Sequence, residues 1–168
     1  MILLTSSEHF RQAPLPFGEG LGGRVVRLAI LLSGRGSNMM ALVEATKTGV
    51  LKGLAEVVVV FSNKSDAFGL EAAAALGCPV AALPSQGRKR EAFDTEAAQL
   101  LQQYQPDLVV LAGYMRILSP AFIQPFSGRI LNIHPADTHQ TRAYTLTSGL
   151  LITNCPKLKS PCIWWMRA

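Results

Sequence analysis

Two short segments of the chain combine residue types suited to binding an anion and moving a proton. Residues 33–38 read Ser-Gly-Arg-Gly-Ser-Asn, and residues 132–135 read Asn-Ile-His-Pro. Glycines let the main chain turn sharply and approach a ligand, and free N–H groups at a helix start attract anions. An amide donor beside an imidazole can stabilise a developing oxyanion and transfer a proton. These segments are therefore candidates for a phosphate site and for oxyanion chemistry.

The elements that must position these segments alternate between apolar strands and amphipathic helices. Apolar and β-branched runs predict strands at residues 25–32, 57–61, 79–83, 108–112 and 129–134. The spacing of apolar residues predicts helices at 38–48, 68–76 and 90–104. This alternation predicts an α/β fold, a Rossmann-like, doubly wound and mostly parallel sheet.

The predicted sheet places the glycine turn at the carboxyl end of the first strand, where such folds bind ligands. This position favours a phosphate site over a capped turn without a ligand. Ser37 or Asn38 could serve as the helix N-cap or contact the ligand directly. Strand alternation puts Asn132 and His134 on the same side of the fifth strand. Taken alone, that pair fits a structural histidine better. Residues 112–120 and 62–69 follow two other strands. The first segment fits a hydrophobic loop that packs the domain at least as well as a functional loop, and the second could equally be just a polar turn.

Composition narrows the class of partner. The net charge is +5, and +3 of it comes from the last 33 residues. These contain four basic residues, Arg142, Lys157, Lys159 and Arg167, and one acidic residue, Asp137. Because no helix carries a dense basic stripe, we expect no nucleic-acid partner. No apolar stretch is long enough to predict a membrane span. Three cysteines without a disulfide framework indicate a cytoplasmic protein, and no histidine has metal-ligand spacing.

Five segments together resemble the phosphoribosylglycinamide formyltransferase family of purine biosynthesis. They are SGRGSN at 33–38, FSNKSDAFGL at 61–70, REAFD at 90–94, PDLVVLAGYMRILSP at 106–120 and GRILNIHP at 128–135. The resemblance covers residues 27–135 in order and spacing. It implies transfer of a formyl group from 10-formyltetrahydrofolate to the amine of glycinamide ribonucleotide, on the route to IMP. It implies small-molecule partners and no metal, and leaves the oligomeric state open.

The resemblance also implies residue roles. The phosphate would be held by Gly34, Arg35, Gly36, Ser37, Asn38 and Arg90. The folate would be held, largely through main-chain groups, by Met115, Arg116, Ile117 and Leu118. Asn132 and protonated His134 would stabilise the tetrahedral oxyanion while the attacking amine loses its proton.

The sequence after Pro135 departs from the family. In the family, the segment that matches residues 132–135 is followed by a loop, a strand and a catalytic aspartate. That aspartate sets the ionisation of the histidine. Residues 136–141 read ADTHQT instead, and Asp137 lies too close to His134 to replace it. We put forward the hypothesis of a frameshift near Arg142, because a peptide read in the shifted frame resembles the segment that the family has there. In that frame the single codons of Trp and Met at 164–166 force Val-Asp. We expect a disordered leader at 1–24, a formyltransferase N-terminal domain at 25–135 and an aberrant tail at 136–168. The fold would then be C-terminally incomplete, truncated by comparison with the family, and its activity impaired.

Three alternatives stay open. The chain is a phosphate-binding remnant without catalysis, or the product of a damaged reading frame that does not fold stably. A nucleic-acid binder ranks last.

Overall fold

A computed structural model of the chain describes residues 24–134 and 162–166, with the main chain alone for His134 and for 162–166. Residues 1–23 of the leader predicted at 1–24 and most of the tail predicted at 136–168 lie outside the described residues. In chain order the elements are β1 (Val26–Leu32), α1 (Ser37–Lys47), β2 (Ala55–Ser62), α2 (Phe68–Ala75), β3 (Val80–Ala82), α3 (Arg90–Gln103), β4 (Leu108–Ala112), α4 (Pro120–Ile123), a 3-10 turn (Gln124–Phe126), β5 (Ile130–His134) and β6 (Cys162–Met166). Each predicted strand and helix is present, and no end differs from the prediction by more than two residues.

The strands form one sheet in the order β3-β2-β1-β4-β5-β6. The first five are parallel, with Leu31 of β1 opposite Phe61 of β2 and Leu111 of β4. This confirms the predicted α/β fold with a mostly parallel sheet.

Three elements were not predicted: β6, α4 and the 3-10 turn. β6 lies within the tail expected at 136–168, and it pairs antiparallel with β5. An edge strand such as β5 offers unpaired main-chain groups, and a segment can pair with them without the alternation that a half-buried strand shows. The short helix α4 begins at Pro120, a residue that suits the first helical position.

Both faces of the sheet are covered by helices. Alternate residues of β1 point to opposite sides: Ala29 and Leu31 pack with α3 and α4, whereas Ile30 and Leu32 pack with α1 and α2. Burial on both faces explains why β1 reads as a continuous apolar run. Among the residues that the structure describes, no helix combines the length and apolar character needed to cross a bilayer.

Candidate active site

The strand order reverses between β1 and β4, which lie side by side. From β1 the sheet extends through β2 to β3 in one direction, and through β4 to β5 in the other. Because these five strands are parallel, their carboxyl ends share one edge. Open α/β sheets bind ligands outside the carboxyl ends at such a reversal. Residues 33–38, after β1, and 113–119, after β4, flank this position.

The turn after β1 depends on two glycines that approach each other closely. Gly36 has a φ of +81°, and a Cβ at this position would lie 2.9 Å from the Cα of Gly69. The N–H of Gly69 donates to the main-chain oxygen of Gly34 at 3.0 Å. Side chains would prevent this approach, which fixes the turn against the start of α2. The first N–H groups of α1 lack partners within the helix and lie at the carboxyl edge of the sheet, where they can bind an anion.

The N-cap of α1 is Gly36, so the expectation that Ser37 or Asn38 caps this helix was wrong. Gly36 is in a left-handed conformation that ends the turn, and Ser37 after it is already helical. Ser37 is exposed and Asn38 is half-buried, as expected of side chains that could touch a ligand directly. Arg35 is also exposed.

Arg90, predicted as a second phosphate anchor, is the first residue of α3 and is exposed. The connection from the carboxyl end of β3 leads into α3, so Arg90 lies towards the edge that carries the glycine turn. β2 separates β3 from β1, which places those strands about 10 Å apart at the usual spacing. A contact of Arg90 with a bound phosphate stays a prediction.

Ser33, the first residue of the turn, forms hydrogen bonds to two neighbouring loops. Its Oγ donates to Oδ1 of Asn63 at 2.5 Å and accepts the N–H of Met115 at 2.8 Å. Its own N–H donates to the oxygen of Gly113 at 3.1 Å. The amide of Asn63 donates in turn to Oγ of Ser85 at 3.2 Å. The loops after β1, β2, β3 and β4 are therefore joined along the carboxyl edge.

The segment predicted to hold folate alternates between exposed and inward side chains. Met115 and Ile117 are 74% and 61% exposed, whereas Leu118 is buried. The guanidinium of Arg116 lies 4.3 Å from the centre of the Phe93 ring. Two exposed apolar side chains beside a crevice suit a flat, largely apolar ligand.

Asp94 of α3 holds the end of this segment in place. It is fully buried, and its Oδ2 accepts the N–H of Ser119 at 2.7 Å. Tyr114, at the start of the segment, is buried as well. Burial raises the pKa of its hydroxyl above the ordinary 10.0, Arg116 opposes that rise and Asp94 adds to it. Tyr114 is therefore protonated at neutral pH and is not a candidate base.

The predicted catalytic pair lies on β5, the strand next to β4. Asn132 is half-buried and stands opposite Leu111 of β4. His134 is the last residue of the strand. The glycine turn and His134 thus lie at the same edge of the sheet, separated by β4 alone. The roles of the two residues stay predictions.

The sequence placed Ser33 in the candidate turn but gave it no role of its own, and it gave none to Asn63, Ser85 or Asp94. The hydrogen bonds of these four residues join the loops around the site. A signal existed for the first two, because each is a polar residue directly after a buried strand. Within residues 24–134 and 162–166, no group of three or more His, Cys, Asp or Glu side chains is arranged to hold a metal ion.

Comparisons with known proteins agree with this geometry. Residues 26–136 match the family described as formyl transferase. The chain is 50% identical over 112 residues to phosphoribosylglycinamide formyltransferase of Escherichia coli (strain K12), covering 66% of this chain and 52% of that protein. It is 40% identical to the crystal structure of glycinamide ribonucleotide transformylase 1 from Symbiobacterium toebii, with a TM-score of 0.63, covering 71% of this chain and 57% of that one. For phosphoribosylglycinamide formyltransferase from Brucella melitensis the identity is 42% and the TM-score 0.61, covering 67% and 58%.

The chain therefore spans little more than half the length of these relatives. The family match covers most of the chain, and it coincides with the described sheet from β1 to β5. It confirms the resemblance inferred from the sequence. The chain belongs to the formyl transferase family.

Proposed function

We propose that this chain binds glycinamide ribonucleotide and 10-formyltetrahydrofolate, and that it transfers the formyl group to the ribonucleotide amine in de novo purine synthesis. One observation carries the proposal: the glycine turn, the segment 115–118 and the end of β5 all open at the carboxyl edge, around the reversal of strand order. The relatives that the chain resembles are named for this reaction. We place the reaction in the cytoplasm, with small molecules as the partners and no metal.

In this proposal the phosphate binds at the start of α1. The positive end of the helix dipole and the N–H groups of its first turn favour an anion. The residues assigned to the phosphate are Gly34, Arg35, Gly36, Ser37, Asn38 and Arg90. Gly36 supports the role because its conformation and its contact with Gly69 leave no room for a side chain at the turn.

The folate is assigned to the segment after β4. Met115, Arg116, Ile117 and Leu118 contribute mainly main-chain groups, since Arg116 packs on Phe93 and Leu118 points inward. The exposed Met115 and Ile117 supply apolar surface beside the crevice.

The chemical step is an acyl transfer. The amine nitrogen of the ribonucleotide attacks the formyl carbon and forms a C–N bond, giving a tetrahedral oxyanion. The amide of Asn132 and protonated His134 stabilise that oxyanion. The bond from carbon to N10 of the folate then breaks, and the proton lost by the amine ends on N10. The products are the formylated ribonucleotide and tetrahydrofolate.

We propose that turnover is slow in the chain as written. The family's aspartate sets the ionisation of the histidine, and residues 136–141 hold no counterpart. A second candidate function follows from the same observation: a ribonucleotide-binding remnant that performs no chemistry. It differs from the first in turnover, not in binding.

One experiment separates the two functions. Calorimetry with glycinamide ribonucleotide measures binding, and chromatographic detection of formylated product measures turnover. We expect binding with slow turnover that Asn132→Ala abolishes, whereas Gln124→Ala, at an exposed amide on the 3-10 turn, leaves it unchanged. Binding without turnover supports the remnant, and failure to bind the ribonucleotide contradicts both functions.

A further inference from the structure

Ser33 lies between the two proposed substrate subsites but is 6% exposed. It is the first residue of the phosphate turn, directly before Gly34. Because its side chain is buried, it acts on ligands through the main chain that it holds, not by direct contact. Its N–H and its hydroxyl both bind the segment after β4, at Gly113 and Met115.

The hydroxyl of Ser33 makes two hydrogen bonds, one as a donor and one as an acceptor. It donates its one proton to Asn63 and accepts the N–H of Met115. Adjoining hydrogen bonds in a buried site polarise one another, so a shift at one end of such a chain is felt at the other. Met115 is the first residue of the segment assigned to folate, and its N–H orientation fixes the start of that segment.

We propose that Ser33 is a positioning residue that couples the ribonucleotide subsite to the folate subsite. A phosphate bound at residues 34–38 orders the turn, the turn orders Ser33, and Ser33 orders the main chain at Met115. By linkage, each ligand then raises affinity for the other by the same factor. This inference rests on the proposed function, since it assigns a coupling between the two substrates named there.

Asn63 and Ser85 extend the same chain of hydrogen bonds. The side chain of Asn63 orients the Ser33 hydroxyl, and its amide binds Ser85 at 3.2 Å. Ser85 lies in the loop that leads to Arg90, and its own N–H donates to the oxygen of Asn63 at 3.1 Å. The coupling therefore reaches each loop that carries an assigned phosphate or folate residue.

The test measures the affinity for each ligand with and without the other. The probes are glycinamide ribonucleotide and 5-formyltetrahydrofolate, a folate that donates no formyl group from N10, and calorimetry gives each Kd. We expect the ribonucleotide to tighten folate binding about fivefold or more in the unaltered chain, the lower end of usual coupling factors. Ser33→Ala should bring that factor to about one and weaken folate binding about tenfold, because the Met115 N–H loses its partner.

Ser119→Ala is the matched control. Ser119 is also a fully buried serine next to the folate segment, but its hydroxyl makes no hydrogen bond with any residue that the structure describes. This variant should keep the coupling factor of the unaltered chain. If Ser33→Ala does not fold, Asn63→Ala replaces it and should reduce the factor at least twofold.

The outcomes separate this inference from the function on which it rests. An unaltered coupling factor in Ser33→Ala, or in Asn63→Ala where that variant replaces it, overturns the inference, as does a factor of one in the unaltered chain. If the unaltered chain binds neither probe, the proposed function fails. Amide hydrogen exchange without ligand then decides whether Ser33 positions the segment: faster exchange at Met115 in the variant supports that role, and unchanged exchange refutes it.

Discussion

Replacing Gly36 with alanine tests whether the phosphate turn is built as the structure indicates. A Cβ at Gly36 meets two obstacles. The φ of +81° is a left-handed conformation, which costs a residue with a side chain about 1–2 kcal/mol. The added carbon also lies 2.9 Å from the Cα of Gly69, well inside the optimal carbon–carbon separation of about 3.5–4.0 Å.

The magnitude follows from the two contributions. Overpacking against main chain costs about 1–3 kcal/mol, because neither turn can yield without moving a helix start. Together with the conformational cost, Gly36→Ala should lower the free energy of unfolding by about 2–5 kcal/mol. The turn should also lose most of its affinity for a phosphate ligand.

Two glycine variants serve as controls. Gly53 has a φ of +77° and open space around a Cβ, so Gly53→Ala should show the conformational cost alone, about 1–2 kcal/mol. Gly34 has a φ outside the left-handed region and no atom within 4 Å of a Cβ, so Gly34→Ala should change stability little. Urea unfolding followed by circular dichroism measures all three. If Gly36→Ala is no more destabilising than Gly53→Ala, the close approach of the two turns is refuted.

Three further predictions concern buried groups. Asp94→Ala should lower the free energy of unfolding by about 1–3 kcal/mol, because the Ser119 N–H loses its acceptor. A loss in urea unfolding no larger than that of an exposed substitution contradicts this. Burial raises the pKa of Tyr114, so above pH 10.0 its hydroxyl ionises first in the unfolded chain. The contribution of Tyr114 to stability should therefore be constant below that pH and fall as pH rises beyond it, by up to about 1.4 kcal/mol per pH unit. Tyr114→Phe should remove the decrease in stability that Tyr114 causes above pH 10.0. An unchanged dependence of stability on pH in this variant refutes the prediction. Burial likewise raises the pKa of the Cys78 thiol, opposed by Lys47; mass spectrometry should find Cys78 alkylated at pH 8 only after unfolding.

The sheet could be predicted from the sequence because burial on two faces leaves a local mark. The apolar run of β1 and the β-branched run of β2 indicate strands covered on both sides, and the glycines after β1 indicate a turn at the carboxyl edge. The resemblance then supplied roles that no single motif could carry.

The contacts that hold the site together left no such mark. Ser33 and Asn63 are 30 residues apart, and their hydrogen bond depends on β1 and β2 being neighbours in register. The N-cap of α1 was not predicted because Gly36, with no side chain to donate or accept a hydrogen bond, takes that position. β6 was not foreseen because its pairing with β5 uses main-chain groups, which sequence patterns do not record.

One crevice at the carboxyl edge should bind both proposed substrates. This can be tested by titrating isotope-labelled protein with glycinamide ribonucleotide and then 5-formyltetrahydrofolate, followed by amide NMR. We expect the first ligand to shift the amide signals of residues 34–38, and the second to shift those of 115–118 and Asn132. Shifts confined to the opposite edge, around Leu54 and Asp107, would contradict it.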